Sequence, residues 1–204
     1  MIPSPQPSPR PRVTARLRAL RFDAGSLALN LIATLGRRNS APIERLGTRE
    51  RLREWCDGVG LRPHPREVTD ELLAELHEVR EAACTIVAAV VHGGTPPPEA
   101  VALLNDRARL APPRPELRIT DDGVGVDPGP ALTGRELQSV VVRDLIALIG
   151  DPERRAGLRV CESPLCSMLY LDRTAARRRR WCSMRRCGNS AKAAKFRNRQ
   201  ATAV

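Results

Sequence analysis

Residues 161–200 read CESPLCSMLYLDRTAARRRRWCSMRRCGNSAKAAKFRNRQ, and four of the chain's six cysteines lie in this stretch. Cys161 and Cys166 are separated by four residues; fifteen residues follow, and Cys182 and Cys187 are again separated by four. Two thiol pairs joined by a short loop suit a tetrahedral Zn²⁺: each pair turns back as a knuckle, and the linker brings the knuckles together. Four thiolates, with no histidine in the segment, fill the tetrahedron and leave no position open for water, as in a structural site. A segment this short lacks the apolar residues to fold alone. Metal binding, about 10–16 kcal/mol in small zinc modules, supplies the difference. The spacing therefore predicts one structural zinc on Cys161, Cys166, Cys182 and Cys187.

The charge is located in the same place. The chain carries a net charge of +11. From Glu153 to Val204 there are fourteen basic and three acidic residues, which leaves twenty of each in residues 1–152. A chain that is neutral for three quarters of its length and strongly basic in the last quarter points to a globular domain with a polyanion-binding module. The candidate nucleic-acid contacts are Arg177, Arg178, Arg179, Arg180, Arg185, Arg186, Lys192, Lys195, Arg197 and Arg199. Lys192, Lys195 and Arg199 form one stripe of a last helix, with Ala193 and Phe196 beside it, facing the zinc core.

The rest reads as mainly α. Residues 1–22 form a Pro-rich, basic arm expected to be disordered, and residues 23–152 a helical domain expected to fold on its own. Apolar residues at helical spacing place helices from Ser26 to a stop at Gly36, from an N-cap at Thr48 to a stop at Gly58, from Pro65 to Gly93–Gly94, and from Pro96 for about three turns. The period changes at Leu117 and Ile119, then Val124 and Val126, around Asp121-Asp122-Gly123, which is a β-hairpin signal. Thr133 and Glu136 form a capping box for a further helix. Residues 153–204 are the small zinc-binding module built on the four cysteines, in which Asp172 or Thr174 caps a short helix over AARRRRW and the chain ends in a helix.

Other residues attract attention without carrying chemistry. Cys56 and Cys84 read as buried thiols inside helices, and His64, His77 and His92 share no ligand spacing. Asp121-Asp122 suits a turn better than a catalytic carboxylate pair. Arg37-Arg38 suit the C-terminal dipole of the first helix. The absence of any catalytic grouping points away from an enzyme. The first residues lack a continuous apolar h-region and no eighteen-residue apolar stretch exists, so a cytoplasmic address without a membrane span is expected, nucleoid-associated when bound.

With these residues in view, RRWCSMRRCGNSAKAAKFRNR resembles the CGNR zinc finger family, whose eponymous arginine is Ser190 here. SLALNLIATLGRR and PIERLGTRERLREWCDGVGL resemble the companion ABATE domain, named for stress-induced transcription regulation. The resemblance implies a DNA-binding transcriptional regulator. Charge alone leaves three partners open: duplex DNA, RNA or a ribosome-associated site, and an acidic protein surface. A homodimer and a small-molecule effector on the N-terminal domain are open as well.

Overall fold

The computed structural model describes residues 14–127 and 129–194. Lys195, Arg197 and Arg199, together with Phe196 and the start of the arm, lie outside the described residues.

The helices begin where hydroxyl side chains can accept the free N–H groups of a first turn. Ser26 caps α2 (Leu27–Ile32), which follows a short α1 (Ala15–Arg18). Thr48 caps α3 (Arg49–Val59), and Thr69 caps α4 (Asp70–Val91). Thr133 and Glu136 form the expected capping box of α6 (Gly134–Gly150), after α5 (Pro98–Arg107). Asp151 caps the five-residue α7 (Pro152–Ala156).

Several boundaries differ from those expected. The first helix stops at Ile32, and Leu35–Gly36 instead forms a strand, β1, paired antiparallel with β2 (Ile43–Glu44). Gly58 lies inside α3; the stop is Gly60, whose φ of 74° is the left-handed conformation that a C-terminal cap demands and glycine supplies. The stretch before α4 is a 3₁₀ turn at Pro65–Glu67.

α2, α4, α5 and α6 pack on one another around Leu29, Leu31, Trp55, Leu76, Val79, Leu137, Leu145 and Leu148, all buried. Two small sheets extend this body. β3 (Glu116–Thr120) and β4 (Gly123–Asp127) form the expected hairpin, with Leu117 opposite Val126 and Ile119 opposite Val124. These four apolar side chains share one face by strand alternation, and all four are exposed.

β5 (Leu158–Val160) pairs with β6 (Leu169–Leu171) and lays its buried Leu158, Leu169 and Leu171 against α2 and α4. Cys161, Cys182 and Cys187 join the same apolar cluster as the helices. The junction is close: Leu171 donates its N–H to the Ala24 carbonyl at 2.8 Å, and a Cβ on Gly25 would stand 2.8 Å from that of Leu171. The basic approach segment is also held. Leu20 packs on the core, and Arg21 is buried because its guanidinium finds acceptors inside. Among the described residues, no helix is long and apolar enough to cross a membrane.

Candidate metal centre and nucleic-acid interface

The β5–β6 pair is the platform of the cysteine cluster. The chain leaves β5 at Cys161, turns through Ser163–Cys166, and returns at Met168, whose carbonyl accepts the Cys161 N–H at 2.9 Å. Ser167 takes a positive φ of 51° to complete the knuckle. The second knuckle is a wide turn of π-helical hydrogen bonding, Met184–Gly188, in which Ser183 accepts from both Cys187 and Gly188.

The four sulfurs lie within 4.8 Å of one another. Cys166 and Cys182 are 3.6 Å apart at Sγ, and Cys182 and Cys187 3.7 Å. A tetrahedron with Zn–S bonds of about 2.3 Å has edges of about 3.8 Å, while a disulfide is about 2.05 Å long. The donor set therefore fits one zinc. The crowding shows in the thiols themselves. Hydrogen bonds from Cys166, Cys182 and Cys187 hold the Cys161 thiol far below its ordinary range, while the same crowding from Cys161, Cys166 and Cys182 pushes Cys187 far above. No other group of metal-ligating side chains occurs among the described residues. Burial pushes the Cys56 thiol up to about 12.

Beyond the ligands, Arg21 donates from Nη1 to Cys182 Sγ at 3.4 Å while its other nitrogens hold Asp23 at 2.9 and 2.8 Å. Partners of this kind orient a ligand and offset the tetrathiolate charge. Sequence reasoning missed Arg21. A contact across 161 residues has no local signature, and a lone arginine in a basic arm reads as solvated.

The arginine run is not a helix. Residues 172–181 form an open loop tied from beneath by Asp172, which is 2% exposed. Its Oδ1 accepts from the Thr174 N–H at 3.0 Å and the Thr174 hydroxyl at 2.8 Å; its Oδ2 accepts from the Arg179 N–H at 2.9 Å. A carboxylate that takes these N–H groups removes them from a helical ladder. Tyr170, fully buried, adds a hydroxyl bond to the Arg179 carbonyl at 2.5 Å.

The candidate contacts separate accordingly. Arg179 turns inward, over the Tyr170 ring at 5.2 Å and onto the Cys182 carbonyl at 2.7 Å. Arg180 pairs with Glu162 at 2.5 Å and stacks on Trp181. Arg186 is half-buried and lines a partly open cavity. Arg177, Arg178, Arg185 and Lys192 are exposed and make no ion pair among the described residues. An open groove of about 550 Å³ runs beside the loop, with Arg154, Arg173 and Arg177 on its walls. Residues 189–194 are helical, but Ala193 is exposed rather than turned to the zinc core; Ala191 and Ala194 are the half-buried positions.

Comparison with known families gives two matches. The ABATE family model, described as "Putative stress-induced transcription regulator", matches residues 25–152, and the CGNR zinc finger model matches residues 158–200. None of the curated proteins compared matches the chain.

Proposed function

The chain belongs to the ABATE family and ends in a CGNR zinc finger, and from that premise we propose that it is a transcription regulator docking on duplex DNA through the zinc module. It acts by binding, not by catalysis, with residues 25–152 as its sensing and assembly part. The observation that carries this reading is a frame of four cysteines that fits one zinc and bears four exposed cations, Arg177, Arg178, Arg185 and Lys192, none paired with an acid among the described residues. An unstructured basic tail loses chain entropy when it orders on a polyanion. Here Asp172, Tyr170 and the cysteine cluster have already fixed the loop, so its charges meet phosphates in one geometry. The aromatic side chains near the charge do not suit stacking on single strands: Tyr170 is buried, and Trp181 is half-buried against Arg180.

The test is anisotropy of zinc-loaded protein with duplex DNA, single-stranded DNA and structured RNA at several fixed salt concentrations. Duplex DNA should bind most tightly, with an affinity that collapses on chelation. Preference for structured RNA at equal salt overturns the reading, as does duplex affinity that survives loss of zinc.

A further inference from the structure

A cavity of about 130 Å³ lies where the basic arm, the β1–β2 turn and the zinc module meet. Arg21, Arg37, Arg45, Arg186, Ser163 and Ser190 line it beside two of the metal-site cysteines, Cys166 and Cys187, and no carboxylate is among its lining residues. Arg45 carries the argument. It is 7% exposed, yet no acid neutralises it: Nε donates to the Leu17 carbonyl at 2.8 Å and Nη1 to the Ala33 carbonyl at 2.9 Å. Nη2 makes no hydrogen bond among the described residues and is not shut off from solvent, as suits a group that lines the cavity. Buried charges are ordinarily paired, because leaving one unpaired is costly. Burial, with repulsion from Arg21 and Arg186, brings Arg45 down to about 10.

The backbone is shaped around this side chain. A Cβ on Gly36 would lie 2.2 Å from both Nη1 and Nη2 of Arg45, so only glycine leaves room for the fork. Arg37, next in the chain, adopts a positive φ of 55°, which a non-glycine residue rarely takes and which concentrates at functional sites. Arg37 makes no ion pair among the described residues, in contrast to Arg38, which pairs with Glu81. A tetrathiolate zinc would carry two net negative charges and Asp23 carries one more, which offsets most but not all of the charge of Arg21, Arg37, Arg45 and Arg186. Guanidinium forks with nearby hydroxyls are the usual means of recognising a tetrahedral oxyanion. At the position where the family name carries arginine, Ser190 is short enough to leave the cavity open.

We propose that this cavity is an oxyanion-binding site that takes a phosphate group through Arg37, Arg45 and Arg186. Two sources share that chemistry: a backbone phosphate of the nucleic acid and a free phosphorylated ligand. The site links the helical domain, through Arg37 and Arg45, to the zinc module, through Arg186 and Ser190.

The experiment uses inorganic phosphate as the probe, titrated into zinc-loaded full-length protein at constant ionic strength set with chloride and followed by calorimetry and thermal melting. Saturable binding with a raised Tm is expected. Arg37→Ala and Arg186→Ala should each weaken it about tenfold or more, the scale of a lost hydrogen bond to a charged group. Ser190→Glu places a carboxylate at the wall and should abolish the phosphate response. Arg37 and Ser190 are not core residues, so these two variants keep the test interpretable if Arg186→Ala does not fold. No response beyond that to chloride overturns the proposal, as does wild-type phosphate affinity in Arg37→Ala and Ser190→Glu. Repeating the titration with saturating duplex separates the sources. A phosphate isotherm that disappears assigns the site to backbone phosphate, and one that persists assigns it to a free ligand. Because the first titration contains no nucleic acid, its outcome is independent of the DNA-binding reading.

Discussion

Removing zinc should destabilise the helical body as well as the module. Leu158, Leu169 and Leu171 of the β5–β6 pair are buried in the same cluster as Trp55 and Leu76. Fully burying a leucine is worth about 1.5–3 kcal/mol, so releasing three withdraws about 5–9 kcal/mol. A whole domain is stable by only about 5–15 kcal/mol. In a body of this size, each kcal/mol shifts Tm by about 2–4 °C, which puts the expected fall at roughly 10–35 °C. The two tryptophans make the assay selective. Trp55 is fully buried in the helical body, and Trp181 is half-buried in the module. In Trp181→Phe protein, fluorescence reports on Trp55 alone. Its melting should be compared in zinc-loaded protein and after a high-affinity chelator, with metal release confirmed colorimetrically. A residues 23–152 unit that folds on its own, as the apolar periodicity leads one to expect, would keep its Trp55 transition within a few degrees. That result would refute the argument from the shared core.

Further outcomes follow from named contacts. Arg21→Ala removes the donor to Cys182 Sγ and should weaken zinc about 10–100-fold in chelator competition, the usual range for such outer partners, with a shift in the sulfur-to-metal bands of the cobalt-substituted protein. Asp172→Asn sets an amide N–H against the N–H groups that the carboxylate accepts and should cost about 1–3 kcal/mol in urea unfolding, with duplex affinity falling as the arginine loop opens. Removing Arg177 and Arg178 together should make log K against log salt shallower by about 1.8 units, from about 0.9 per phosphate contact. Replacing the inward-facing Arg179 should instead lower stability.

The elements that could be read in advance were those with a local cause. Thr48 and the Thr133–Glu136 pair are capping residues whose partners lie three positions away, and the cysteine spacing is a property of one segment. What could not be read depends on long-range placement. Residues 175–180 look helical by composition, but Asp172 captures the Arg179 N–H. Arg45 reads as surface, yet two backbone carbonyls and a neighbouring glycine make an interior place for it. Gly58 is the stop expected from sequence, but the helix runs through it to Gly60, which takes the left-handed cap conformation.

The β3–β4 hairpin sits outside this network of contacts. Leu117, Ile119, Val124 and Val126 touch water rather than the core, and each strand pairs only with the other. An isolated two-stranded hairpin is marginal on its own. It can therefore open while the rest stays folded, and tryptic cleavage after Arg118 should yield a nicked molecule. The two fragments should then co-elute under native conditions, because α4 and α6 still pack across the cut. The same independence makes the hairpin the natural place to graft an affinity tag or reporter without disturbing the zinc cluster.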